Sequence, residues 1–316
     1  MRPLARPIML LTSAAVLAPM LVGCGGGSSS DEGTGTTAAP APAGSLQARL
    51  DAQPGEDVGL ILGTSDFAVG ENRLSFLVIG NNGQVVETPT AKVYVARSLE
   101  EAPKSTAEAR LLKLDPHGEG SHTQKHAEPD TEALFVTRLT FPEAGRYWLV
   151  VDLPGKTTQG LFALDVKEEA AAPAVGEKAP PSENPTLADA PAEEITTARP
   201  PDRELLRSSV KAALEDEVPF VVVFATPKYC TSRTCGPTVE IVDEVRRRSA
   251  GSDVRFIHVE VYKDNDPAKG ANRWMTEWRL PSEPWVFVVD GAGVITSRFE
   301  GSASVEELEA AVKAVS

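Results

Sequence analysis

Pro219-Phe220-Val221-Val222-Val223-Phe224 is followed six residues on by Cys230, and then by Cys235-Gly236-Pro237. The apolar run has the length and the β-branched, aromatic content of a buried strand. Beyond Pro237 an amphipathic segment runs to near Ala250. Two cysteines therefore stand between a strand's end and a helix's start. There the helix dipole and unpaired backbone N–H groups favour a thiolate, the attacking species in thiol–disulfide chemistry.

The spacing can be tested against helix geometry. Two helical residues five apart are rotated by about 140° and separated by about 7.5 Å along the axis. A disulfide needs Cα atoms roughly 4.4–6.8 Å apart. Proline is favoured at the first helical position, so the helix is expected to begin at Pro237. Cys230 to Gly236 is then a loop that can fold back and bring the sulfurs together.

The flanking order reads as helix 202–215, strand 220–224, the cysteine loop, helix 237–249, strand 254–261, helix 271–278, strands 285–289 and 294–299, and helix 305–315. Asp290-Gly291-Ala292-Gly293 is a hairpin turn between the last two strands. Val305, Leu308, Val312 and Val315 give the last helix one apolar face. Glu283-Pro284 immediately precedes the third strand.

Order, dithiol and proline together resemble the thioredoxin-like family over residues 202–316. The resemblance implies an α/β domain, a cis peptide at Glu283-Pro284 facing the cysteines, and a redox pair. Substrate would dock at Glu283 and Pro284. Cys230 and Cys235 would be the catalytic residues and would form the disulfide. The chain departs from the family motif Cys-Gly-Pro-Cys, because Thr238 stands where the second cysteine belongs. Two alignments stay open. In one, Cys235 is the nucleophile, as its place beside the helix start and near Arg233 favours, and Cys230 resolves. In the other, Tyr229-Cys230 matches the family's aromatic-Cys pair. The family's buried acid has no counterpart, since Val223 stands about there. A structural bridge clamping the loop is the competing reading. Trp274 and Trp278 are expected to face the core. His258, between Ile257 and Val259, is expected to be a strand residue without catalytic duty.

Arg2 and Arg6 precede an apolar stretch from Ile8 to Val22, and Leu21-Val22-Gly23-Cys24 matches a bacterial lipobox. By that resemblance residues 1–23 are a signal peptide and Cys24 becomes the lipidated first residue. The expected location is extracytoplasmic, anchored to the bacterial cell membrane without spanning it. The chain has three cysteines, so assigning Cys24 to lipid leaves one pair. The net charge is −14, near −16 without Arg2 and Arg6. No basic patch stands out, which argues against nucleic-acid partners. Extracytoplasmic protein thiols and disulfides are the expected partners.

Residues 24–44 are rich in Gly, Ser, Thr, Ala and Pro and read as a flexible tether. Residues 169–201, rich in Ala, Pro and Glu, read as a linker. Strands dominate 45–168. Ala91, Val93 and Val95 alternate with Lys92 and Tyr94, and Phe162, Leu164 and Val166 repeat that period. Glu143-Ala144-Gly145-Arg146-Tyr147 resembles the tyrosine corner of immunoglobulin-like sandwiches, with Leu149 in the place of the conserved cysteine. The expected fold class is multidomain: an all-β immunoglobulin-like sandwich followed by an α/β thioredoxin-like domain. His117, His122 and His126 crowd one loop of that sandwich, in a chain of four histidines. They are candidate weak copper or zinc ligands; no other cofactor is expected. A redox-inactive binding or scaffold lipoprotein is the alternative function.

Overall fold

The computed structural model describes residues 40–52, 56–114, 133–155, 158–230 and 234–316. Cys24, Arg233, His117, His122 and His126 lie outside the described residues. The strands of the first half are β1 (Glu56–Asp57), β2 (Gly59–Leu62), β3 (Gly70–Ile79), β4 (Thr90–Ala96), β5 (Ser105–Lys113), β6 (Ala133–Phe141), β7 (Gly145–Asp152) and β8 (Thr158–Val166). They form one sheet in the order β1-β8-β7-β4-β5-β6-β3-β2. All pairings are antiparallel except β1 with β8. The sheet is nearly closed: a Cβ added at Gly160 of β8 would meet the Leu60 side chain of β2 at 2.5 Å.

Strand alternation sets what fills the interior. Ala91, Val93 and Val95 of β4 point inward and are fully buried, as are Phe76 and Phe135, whose rings stack at 5.4 Å. Tyr94 points the other way and is also buried. Helix α1 (Leu46–Ala52) covers that outer face, with Leu46 packed beside Tyr94 and Val150. At the turn into β7, Tyr147 donates its hydroxyl to the Glu143 carbonyl at 2.9 Å, and Leu149 fills the interior two residues later.

The second sheet joins β9 (Phe220–Phe224), β10 (Arg255–Val259), β11 (Trp285–Val289) and β12 (Ile295–Glu300) in the order β10-β9-β11-β12. β10 runs parallel to β9, and β11 runs antiparallel to both β9 and β12. Its helices are α2 (Ala192–Ile195), α3 (Val210–Glu215), α4 (Cys235–Arg248), α5 (Arg273–Glu277) and α6 (Val305–Lys313). Every residue of β9 is buried. Val221 and Val223 pack with the apolar residues of α4 and α6, while Phe220, Val222 and Phe224 pack with those of α3 and α5. Burial on both faces is why the run is continuously apolar.

The segment read as a linker is laid against this second sheet. Gly176 and Glu177 exchange backbone hydrogen bonds with Ile295 on the edge of β12. Ser182 accepts from the Trp278 indole at 3.0 Å, and Asn184 accepts from the first amide of α3 at 2.9 Å. Ala172, Ala179, Ala192 and Ala198 are buried. Small side chains let the backbone lie close against the fold, so a composition typical of linkers here serves as a strap.

The two sheets meet across buried charge. The Asp66 side chain is fully buried and accepts from the Ala171 and Ala172 amides and from Arg298. Those partners hold its carboxyl below the usual range despite the opposing effect of burial. Glu300 accepts from the Ser65 and Asp66 amides at 2.8 Å, and Arg73 pairs with Glu307 at 2.9 Å. Residues 40–316 form one compact unit, rather than two bodies on a free linker. No helix among the described residues is long and apolar enough to cross a membrane.

Candidate functional site: a dithiol at the start of α4

Helix α4 begins at Cys235, two residues before the expected start. The first amides of a helix have no partner within it. A proline at the third helical position therefore forfeits nothing, and Pro237 does not mark the boundary. The Thr234 side chain does not cap the helix. The Cys235 amide instead donates to the Cys230 sulfur at 3.3 Å.

That contact bears on the two alignments left open for the sulfurs. Cys230, partly buried and just outside the helix, holds the position facing the helix's positive end. Cys235 is fully buried. Burial pushes the Cys235 thiol well above its ordinary range; the hydrogen bond with Cys230 and the charge on that sulfur push the same way. The Thr226 amide opposes the shift by donating to Cys235, and Glu283 adds to it. Both residues carry thiols, and the two side chains are within hydrogen-bond reach of each other. Once Cys230 is charged, Cys235 holds its proton. The alignment that places Tyr229-Cys230 on the family's aromatic-Cys pair fits this electrostatic order.

The Glu283–Pro284 peptide is cis. Pro284 is buried and Glu283 is half-buried. Burial, and then the charge of Cys230, push the Glu283 carboxyl up to about 6. Tyr262 closes another side. Burial raises its hydroxyl, and Glu283, Cys235 and Cys230 add to the effect. The Tyr229 ring meets the Tyr262 ring edge-on at 6.2 Å, and the Lys228 ammonium lies 5.0 Å from the Tyr229 ring centre. The Glu283 carboxyl and the Tyr262 phenol are thus the ionisable neighbours that feel the charge of the partly buried sulfur.

Thr238, in the family's second-cysteine position, is buried. It donates to the Thr234 carbonyl at 2.6 Å and pairs with Ser302 at 3.0 Å, which ties α4 to the turn before α6. Trp278 is fully buried, as expected. Trp274 is only partly buried, and its indole N–H has no partner among the described residues. His258 is 2% exposed, and its Nε2 lies 3.0 Å from the Ala225 carbonyl. Burial lowers its pKa and so favours the neutral ring. Among the described residues, no group of three or more His, Cys, Asp and Glu is placed to hold a metal ion.

Sequence reasoning passed over Thr196, Thr197 and Glu260, which are buried, with Thr197 bonded to the turn before Cys230. A signal was present: Ile195-Thr196-Thr197 is a β-branched run inside an Ala/Pro/Glu-rich stretch.

No known family profile matches the chain. No curated protein matches it either. Among solved structures it is similar to a thiol:disulfide interchange protein, a thioredoxin family protein from Chlorobium tepidum TLS. The identity is 15%, over 46% of this chain and 99% of that one, with a TM-score of 0.32. It is also similar to the Lin-41 filamin domain at 11% identity, over 36% of this chain and 99% of that one, with a TM-score of 0.22. At these scores neither likeness assigns a family, and the functional reading rests on the geometry of the dithiol.

Proposed function

We propose that the protein is a thiol–disulfide oxidoreductase, with a thioredoxin-like domain beside an immunoglobulin-like sandwich. One observation carries the reading: the Cys230 sulfur accepts the first amide of α4 at 3.3 Å, within reach of a second, protonated thiol. The order β10-β9-β11-β12 with α4 leaving the centre of the sheet supports the fold, and the corner at Tyr147 supports the sandwich.

In the reducing direction, the Cys230 thiolate attacks one sulfur of a substrate disulfide and expels the other as a thiolate. A mixed disulfide forms between Cys230 and the substrate. Cys235 then gives up its proton and attacks Cys230, releasing the second substrate thiolate and leaving Cys230–Cys235 oxidised. The substrate gains two electrons and two protons, one from Cys235 and one from solvent, which took the Cys230 proton on ionisation, and an external dithiol must restore the pair. Oxidation of a substrate dithiol runs through the same atoms in reverse. Glu283 and Pro284 line the approach to Cys230, where an extended substrate segment would lie. The lipobox at Leu21–Cys24 supports attachment to the outer side of a bacterial membrane through lipid on Cys24, where protein thiols and disulfides are the available substrates.

The test is equilibration of the purified protein in redox buffers, with turnover measured on a disulfide peptide. A pair that titrates above about −300 mV and turns over is expected; a lower potential without turnover would mark a structural bridge.

A further inference from the structure

We infer that Thr197 is a positioning residue for the Cys230 sulfur: its hydroxyl anchors the turn that presents Cys230 to the start of α4. The inference rests on the dithiol reading above and names a residue of the strap, outside the cysteine loop.

The turn spans Thr226, Pro227, Lys228 and Tyr229, and closes with the Tyr229 amide donating to the Thr226 carbonyl at 3.2 Å. Such a turn satisfies its first carbonyl and its fourth amide. Proline has no N–H. The Lys228 amide is therefore the one interior donor that needs a partner from elsewhere. Thr197 Oγ1 provides it, accepting at 3.2 Å.

The hydroxyl is held for that task. Its single proton goes to Glu260 Oε2 at 2.8 Å, so toward Lys228 it can only accept. Glu260 is 6% exposed, Thr197 is 5% exposed, and the Thr197 amide donates to the same oxygen at 2.8 Å. The other carboxylate oxygen takes the Val261 amide at 3.1 Å. One residue back, Thr196 Oγ1 lies 3.4 Å from His258 Nδ1, and His258 Nε2 reaches the Ala225 carbonyl. A carbonyl can only accept, so Nε2 carries the ring proton. The strap thus grips the backbone on both sides of Thr226, whose own amide donates to Cys235. Cys230 follows two residues after the Lys228 anchor. Without that anchor the turn can rotate, and the Cys230 sulfur leaves the helix amide that favours its charge.

Thr197→Val keeps the shape and removes the acceptor. With reduced full-length protein, iodoacetamide labelling of Cys230 is followed by peptide mapping from pH 5 to 9. Loss of one hydrogen bond's worth of order predicts labelling about five-fold slower at pH 7, with the profile displaced to higher pH. Thr197→Ser keeps the hydroxyl and is expected to label like the wild type, which a merely space-filling role for the methyl would not give. In the wild type the Lys228 amide is expected to be protected from hydrogen exchange. A Thr197→Val profile that overlays the wild type would overturn the inference. If that variant does not fold, a Lys228 amide exchanging at the open-chain rate in the wild type overturns it instead. Absent turnover in the wild type would remove the dithiol reading, yet the effect of Thr197 on labelling would still be measurable.

Discussion

Replacing Glu283 by glutamine removes one negative charge from beside the sulfurs and keeps the shape of the side chain. The interaction between two charges is mutual, so the effect of Cys230 on Glu283 also bounds the effect of Glu283 on Cys230. The carboxyl is pushed from an ordinary 4.5 up to about 6, with burial the larger cause and the charge of Cys230 the smaller. The smaller cause accounts for at most half of that difference, a factor of about five in an ionisation equilibrium. Glu283→Gln should therefore raise the thiolate population of Cys230 at pH 7, and its rate of labelling by iodoacetamide, by up to about five-fold. The sign follows from pH. Below pH 6 the wild-type carboxyl is itself neutral, so the two proteins should converge there. They should converge again at high pH, where both are fully thiolate. Stopped-flow labelling of the reduced proteins from pH 5 to 9, with the site assigned by peptide mapping, reads the effect. A variant that labels more slowly than the wild type at pH 7, or at the same rate throughout, would refute the electrostatic reasoning.

Two further perturbations test the frame around the site. Asp202, where the strap joins the second sheet, hydrogen-bonds to Asp243 of α4; burial and that neighbour push its carboxyl from an ordinary 3.8 up to about 6. An acid whose pKa is higher folded than unfolded stabilises below the unfolded value and loses that stabilisation as pH rises through the folded one. Asp202→Asn donates to Asp243 at every pH. Its Tm should exceed that of the wild type at pH 8, and the gap should close as pH falls to the unfolded value of 3.8; a lower Tm at pH 8 would contradict the shared-proton arrangement. Asp66→Asn should cost about 3 kcal/mol by urea unfolding, because it leaves the Arg298 guanidinium, at 18% exposure, facing a neutral amide. A change under about 0.5 kcal/mol, the usual size for a surface site, would show that this buried pair does not hold the sheets together.

The parts of the molecule legible in the sequence are those decided by local pattern. The run from Phe220 to Phe224 announces itself because both of its faces are buried. Gly145 and Tyr147 mark a corner because the hydroxyl reaches back only four residues. What was not legible depends on contacts between distant segments. The strap looks like a linker because Ala and Pro bury as little in isolation as they do in a disordered tether; Trp278 and Asn184 give it a place to lie. The start of α4 was displaced because a sulfur five residues upstream serves as its cap, a role that no helix-start residue type signals. The same contact sets the Cys230 sulfur against the first amide of α4, a pairing that adjacency to the helix in sequence does not signal. Glu283 was legible as the residue before a proline, but its charge acting on both sulfurs required the fold.

The order of attack is the claim on which the account turns. Mixed-disulfide trapping in full-length protein reads it directly: single variants Cys230→Ser and Cys235→Ser are incubated with a disulfide peptide and resolved by non-reducing mass analysis. The account predicts a stable adduct on Cys230 in the Cys235→Ser variant and none, or a far slower one, on the buried Cys235 of the Cys230→Ser variant. Rapid capture by Cys235 alone, or by neither sulfur, would contradict it.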